Sequence, residues 1–245
     1  MSGQNRTPSK SREGVRVQIR GLAVGLFVLA SCQGFPGAAA NSGSGLLGDD
    51  VLSTVVKGMS PSDEAQFKQH RLALQIKKAG GDVTINMALY PASTIVGVDL
   101  HQTQITDADI AQLKAFPNLR TLNLYHTRIT DAGLANVAQL TQLQILHLGN
   151  TEVTDAGLRY LQALPDLHEL GLTHTKVTDQ GLACLANLKG LTELTLSGGQ
   201  ITDNGLRQLK TLHRLRKIVL IKTNVTKSGV EQLQRALPDA HVYFG

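Results

Sequence analysis

No catalytic signature occurs in these 245 residues: G-x-S-x-G, the phosphate-cradling G-x-x-x-x-G-K-[ST] loop and H-E-x-x-H are all missing. Nucleophilic, phosphoryl-transfer and zinc-protease chemistry therefore lack their groups at the required spacing, and no enzymatic activity or cofactor is expected. Cysteine is scarce, with only Cys32 and Cys184, and no H-x-H pair is present. Zinc needs three or four ligands converging within about 2.3 Å of one point, so no metal site is expected either. Long apolar runs are missing too. The ten residues Gly21 to Ala30 fall short of the roughly 20 that a spanning helix requires. Sustained positive charge is also lacking outside the N-terminus. The whole chain is +5, but residues 1–31 hold Arg6, Lys10, Arg12, Arg16 and Arg20 against Glu13. The remainder has 19 basic and 18 acidic residues, net +1. No basic stripe persists there, and a nucleic-acid partner is not expected.

What is present is a 24-residue period. Leucine recurs at Leu100, Leu124, Leu148, Leu172, Leu196 and Leu220. Two residues before it runs the ladder Val98, Leu122, Leu146, Leu170, Leu194, Ile218, and five residues after it Ile105, Ile129, Val153, Val177, Ile201, Val225. Three ladders of six members each, all in phase, are the mark of a solenoid. Within a unit, Leu119 to Tyr125 alternates, placing Leu122 and Leu124 on one face of a half-buried strand. Helical spacing follows at Leu134, Val137 and Leu140. Between strand and helix stands Thr-Asp, at Thr106-Asp107, Thr130-Asp131, Thr154-Asp155, Thr178-Asp179 and Thr202-Asp203. Either side chain can accept from the first helical turn, so the pair reads as an N-cap. The sixth unit has Thr226-Lys227, which reads as a weaker cap. Glycine recurs at Gly133, Gly157, Gly181, Gly205 and Gly229, with Asp109 in the first unit. Early in a helix it costs about 1 kcal/mol relative to alanine, so its repetition implies close approach of neighbouring coils.

The run L-x-L-x-x-T-x-[IV]-T-D-x-G-[LI], read from Leu146 to Leu158, resembles the bacterial leucine-rich repeats of planctomycete envelope proteins. It is also similar to the ribonuclease-inhibitor and F-box classes of that superfamily. The resemblance implies an α/β fold, a right-handed solenoid with a curved parallel sheet inside and short helices outside. Six repeats span residues 95–237, with an N-terminal helix and strand cap over 60–94 and a C-terminal cap strand over 238–245. Many such repeats carry asparagine where this chain has Thr103, Thr127, Thr151, Thr175 and Thr223. A threonine hydroxyl there can bond the turn backbone in the same way, and Gly199 cannot. At the C-terminal end, Leu237 to Phe244 breaks the 24-residue register by one.

Residues 1–31 have the charge and apolar core of a signal peptide. They lead into Leu29-Ala30-Ser31-Cys32, which resembles a bacterial lipobox; that family implies diacylglyceryl attachment to Cys32. The alternative is ordinary cleavage after Ala38-Ala39-Ala40, giving a secreted chain. Residues 32–59, rich in Gly, Ala and Ser as far as Gly48, read as a flexible tether. The expected address is the cell envelope, with membrane attachment through the lipid. Cys184 sits where other units have Gln112, Asn136, Tyr160, Gln208 and Gln232, an outward helix position.

Leucine-rich repeat proteins typically recognise ligands with the strand positions that face away from the core, and the resemblance implies a protein or peptide partner on that face. The candidate residues are Asp99, His101, Thr121, Asn123, Tyr125, His126, His147, Glu169, Thr173, Glu193, Thr195, Lys217 and Ile221. Gly149, Gly171, Thr173 and Gly198 are expected to leave a shallow depression at the centre. A self-associating scaffold and an F-box-like adaptor stand as alternatives, although no F-box segment is recognisable.

Overall fold

The computed structural model describes residues 60–86, 95–198 and 200–245. Cys32, the signal segment and the tether lie outside the described residues. Eight strands form one sheet in sequence order: β1 (Asp82–Ile85), β2 (Ile95–Asp99), β3 (Thr121–Asn123), β4 (Ile145–His147), β5 (Glu169–Leu172), β6 (Glu193–Ser197), β7 (Lys217–Ile221) and β8 (His241–Phe244). From β2 to β8 every pair is parallel, with partners such as Leu122 and Leu146 offset by 24 residues. The sheet is not parallel throughout, because β1 pairs antiparallel to β2. Only residues 86–94 join these two strands, fewer than the dozen or so a parallel crossover needs.

Helix α1 (Pro61–Lys78) lies ahead of the sheet and buries Ile76. Its capping residue Ser60 accepts from the Asp63 N–H, Pro61 stands at the first turn, and Gly80 follows its end at φ +90. Each repeat then returns through a short helix: α2 (Asp107–Ile110), α3 (Asp131–Val137), α4 (Asp155–Leu158), α5 (Asp179–Leu185), α6 (Asp203–Gln208) and α7 (Lys227–Ala236). After α2, α4 and α6 the chain tightens into 3₁₀ turns over Ala111–Ala115, Arg159–Ala163 and Leu209–Thr211. In the second coil Leu134 and Val137 lie on α3, and Leu140 closes the turn beyond it. All three are buried. One apolar column runs through the stack, joining the strand ladders to Leu113, Leu143, Leu167, Leu191 and Leu215 on the return path. A single coil is too thin to enclose a core, so burial is a property of neighbouring coils.

The repeated Thr, Asp and Gly divide their work differently from the sequence expectation. Threonine alone is the cap. Thr130, Thr154, Thr178 and Thr202 accept from Ala132, Ala156, Gln180 and Asn204 N–H respectively. The aspartate reaches across to the next coil. Asp155 Oδ1 accepts from Thr178 N at 2.7 Å and its Oδ2 from Thr178 Oγ1 at 2.6 Å. Asp107, Asp131, Asp179 and Asp203 repeat this with Thr130, Thr154, Thr202 and Thr226. That carboxylate occupies the space beside the next coil's glycine. A Cβ on Gly181 would stand 2.2 Å from Asp155 Oδ1, and one on Gly229 2.0 Å from Asp203 Oδ1.

One irregular end of the pattern follows from this. The first repeat has no earlier aspartate to accommodate, so Asp109 can replace glycine; its Oδ2 accepts from Thr106 N and Oγ1, both at 2.8 Å. In the sixth repeat Lys227 stands where the other repeats have the forward-reaching aspartate, a position that plays no part in the cap. Lys227 is therefore not a weakened cap. Thr226 still accepts from Gly229 N at 3.1 Å.

The buried threonine ladder behaves as the asparagine analogy implies. Thr103, Thr127 and Thr151 donate to Leu100, Leu124 and Leu148 carbonyls at 2.6 to 2.7 Å, and Thr175 to Leu172 O at 3.1 Å. The register break at Leu237 is confined to the return path. Helix α7 is longer than its counterparts, and β8 resumes the 24-residue offset with Lys217 opposite His241 and Leu220 opposite Phe244.

Candidate binding face

Strand pleating turns alternate residues away from the leucine core. Sheet register places Gly97, Thr121, Ile145, Glu169, Glu193, Lys217 and His241 side by side in one row. Asp99, Asn123, His147, Gly171, Thr195, Val219 and Tyr243 form the next. The third expected row, His101, Tyr125, Gly149 and Thr173, lies just past the strand ends in the first coils. Coil-to-coil bonding nonetheless continues there, Gln102 N donating to Tyr125 O, His126 N to Gly149 O and Asn150 N to Thr173 O. His126 is thus not a strand residue. With Gln102, Asn150, His174 and Lys222 it turns the chain at φ 52 to 58. Glycine takes that position only at Gly198, φ +107. Ser197, in line with the third row, is buried, and its hydroxyl accepts from His174 N at 2.6 Å.

The polar residues of the N-terminal half are tied to one another. Asp99 Oδ1 accepts from the His101 N–H at 3.0 Å and lies 2.8 Å from His101 Nδ1. Burial alone would push the Asp99 carboxyl up. The His101 N–H, its ring and the Asn123 side chain outweigh that and hold it below the usual carboxylate range. Asn123 Oδ1 also accepts from Tyr125 N at 3.0 Å. An Nδ1–H on His101 donating to the carboxylate leaves Nε2 facing outward as an acceptor. His147 Nε2 lies 3.2 Å from Glu169 Oε1, and Asn150 Nδ2 meets His126 Nδ1. Glu193 Oε2 accepts from Lys217 Nζ at 3.0 Å, which holds the Lys217 ammonium above its ordinary pKa.

The expected central depression is filled at Gly149 by one side chain, while Gly198 has open space beside it. Tyr125 leans over Gly149, so that a Cβ there would stand 2.7 Å from Tyr125 Cδ2. The His147 ring similarly lies 3.8 Å from where a Gly171 Cβ would be. Gly149 is thus a seat for the Tyr125 ring of the preceding coil, and Gly171 is in ordinary contact with His147. Tyr125 remains 39% exposed, its ring 6.3 Å from that of His126. Ile221, 38% exposed, belongs elsewhere: it sits on β7 at the C-terminal end, where Val219 and Tyr243 also line the sheet. The thirteen candidates are therefore not one cluster. Asp99, His101, Asn123 and the Tyr125 backbone are linked by hydrogen bonds, the His126 ring lies beside that of Tyr125, His147 pairs with Glu169, and Glu193 pairs with Lys217. Thr121, Thr173 and Thr195 are half-buried between them.

No group of three or more His, Cys, Asp or Glu among the described residues is placed to hold a metal ion. Cys184 is half-buried against the core rather than fully outward. A separate small cleft opens at the N-terminal end, where Leu72, Ile76 and Ala79 of the α1 end meet Leu100, Ile105 and Leu113.

Residues 117–160 match the family described as Leucine Rich repeats (2 copies), and residues 163–186 and 190–210 match the family described as Leucine Rich repeat. With the 24-residue sheet register, these matches identify the fold of this region as a leucine-rich repeat solenoid. Among solved structures it is similar to an internalin of Listeria monocytogenes, at 24% identity and TM-score 0.49, over 58% of this chain and 39% of that one. Internalin C2 of the same species follows at 21% identity and TM-score 0.43, over 62% and 82% of the two chains. A leucine-rich repeat protein of Leptospira interrogans has 23% identity and TM-score 0.47, over 62% and 38%. The match thus spans about two fifths of the first internalin's length. No curated protein matches the sequence.

Proposed function

We propose that this chain is a planctomycete-like bacterial lipoprotein, held in the cell envelope through Cys32, that binds a protein or peptide partner on the open face of its sheet. Leucine-rich repeat proteins typically mediate protein–protein binding, and the repeated Thr, Asp and Gly are committed to joining coils. Only the variable strand positions are free for recognition. The observation that carries the reading is Tyr125, a large aromatic side chain left partly exposed while its ring is seated on Gly149. Aromatic anchors of this kind dominate interface energetics, and an anchor already ordered loses little entropy on binding. Around it, Asp99 and Asn123 hold His101 and the turn in place, presenting donors and acceptors of defined orientation. The apolar segment ending in Leu29-Ala30-Ser31-Cys32 supports the anchor.

Two experiments test the two halves of this reading. Purified chain used as bait on cell-envelope extract retains a partner that the Asn123→Ala, Tyr125→Ala, His147→Ala triple variant loses. Equal capture by both would refute the assigned face. In the native host, labelled palmitate enters wild type and not Cys32→Ala; equal labelling would remove the anchor and leave a secreted module.

A further inference from the structure

We propose that a second copy of this chain pairs antiparallel with the outer edge of β8, joining two sheets across a two-fold axis. Among the described residues the sheet ends at β8. His241 N donates to Arg216 O and Gly245 N to Leu220 O. In a parallel ladder successive residues bond to opposite sides, so the N–H and C=O groups of Val242 and Phe244 point away from β7. Phe244 continues the column of Leu100 through Leu220, whose members are at most 3% exposed, yet Phe244 is 46% exposed and Tyr243 57%. This is a core-type strand with one side uncovered.

A further coil on this edge would lack the aspartate tie that joins the other coils. Each coil that has a successor supplies an aspartate to the next threonine, and the sixth has Lys227 there. A second copy fits on three counts. With Tyr243 opposite its own counterpart, Val242 falls opposite Phe244 of the partner strand, apolar against apolar on the core side. The outward backbone groups of Val242 and Phe244 then meet as hydrogen-bonded pairs, and the two tyrosines form the closely spaced pair between them. Two-fold pairing also brings a strand's charges against their own copies. β8 carries no Asp, Glu, Lys or Arg, whereas the other edge strand, β1, begins at Asp82. Self-complementary contact of one patch is the commonest route to a soluble dimer.

The test is light scattering coupled to size exclusion on the full chain over a dilution series. Wild type is expected as a dimer that dissociates on dilution. Tyr243→Lys and Tyr243→Glu are each expected as monomers whose thermal unfolding equals that of wild type diluted to monomer, since the side chain is mostly exposed. Mixing the two variants is expected to restore a heterodimer, because the introduced charges then face each other with opposite sign. That rescue separates loss of pairing from loss of fold. A monomeric wild type overturns the proposal, as do a dimer that persists in both single variants, a mixture that stays monomeric, and an open-ended series of larger assemblies such as β8-on-β1 stacking would form.

Discussion

Coupling between Asp155 and Gly181 measures the contact that joins the third coil to the fourth. The Asp155 carboxylate accepts two short hydrogen bonds from Thr178, at 2.7 and 2.6 Å. Hydrogen bonds to charged groups contribute about 1.5 to 3 kcal/mol each, and these are only part-buried, so Asp155→Ala should cost about 3 kcal/mol. Gly181→Ala alone drives a methyl to 2.2 Å from Asp155 Oδ1 and 2.9 Å from its Cγ. Displacing the carboxylate should outweigh the intrinsic helix gain of about 1 kcal/mol and leave a net loss of about 2 kcal/mol. In the double variant the methyl enters the space the carboxylate has left. Its loss should then be about 2 kcal/mol, the helix gain of about 1 offsetting part of the lost hydrogen bonds, rather than the additive 5, a coupling of about 3 kcal/mol. Urea unfolding followed by circular dichroism reads all four corners of the cycle. For a folded segment of this size, 1 kcal/mol moves Tm by about 2 to 4 °C, so thermal scans provide a second reading. Additivity within about 0.5 kcal/mol would refute the account of why glycine recurs.

Acid should weaken the same contacts. Hydrogen bonds from the Thr226 hydroxyl and N–H hold the Asp203 carboxyl below its ordinary value of 3.8. Its folded pKa is the lower one, so its contribution is present above the ordinary carboxylate range and is lost as pH falls through the folded value. Asp203→Asn should therefore lower Tm near neutrality and converge with wild type in acid, as thermal scans against pH can check; a gap that widens on acidification would contradict this. Thr127→Val should cost about 1 kcal/mol in urea unfolding, because the buried Leu124 carbonyl loses its donor at 2.7 Å. A stability change near zero would mean that water replaces the hydroxyl. Gly149→Ala should displace the Tyr125 ring and weaken partner capture as Tyr125→Ala does; undiminished capture would show that the seat is dispensable.

How much of this was legible in the sequence depends on whether a residue works inside its coil or across coils. The leucine, valine and isoleucine ladders were readable because burial repeats with the chain's own period, and that period located the strands. The aspartate was misread. Within one unit, Thr-Asp before a helix has the form of a cap, and only the next coil reveals where the carboxylate goes. The signal lay in the exceptions, since aspartate fails only in the last unit and glycine only in the first. Gly149 was misread for a related reason. Taken alone it is a gap, but a tyrosine one strand earlier is long enough to lean across it. The antiparallel β1 followed from the length of a connection rather than from any pattern of residues. Ser197 lies in line with an open row, yet a hydrogen bond to the His174 N–H in the neighbouring turn keeps it buried.

The aspartate-to-glycine contact also gives the stack a direction and a rule for changing length. Every internal coil carries a forward-reaching carboxylate and a backward-facing glycine, so any coil bearing both can be duplicated or deleted whole with its two junctions intact. The first and last coils each carry one half of that pair. Moved inward, either would leave a threonine without its acceptor or set a carboxylate against a side chain. Lengthening by tandem duplication of the middle coils is therefore chemically neutral at every new seam, and it widens the open face by one strand at each step.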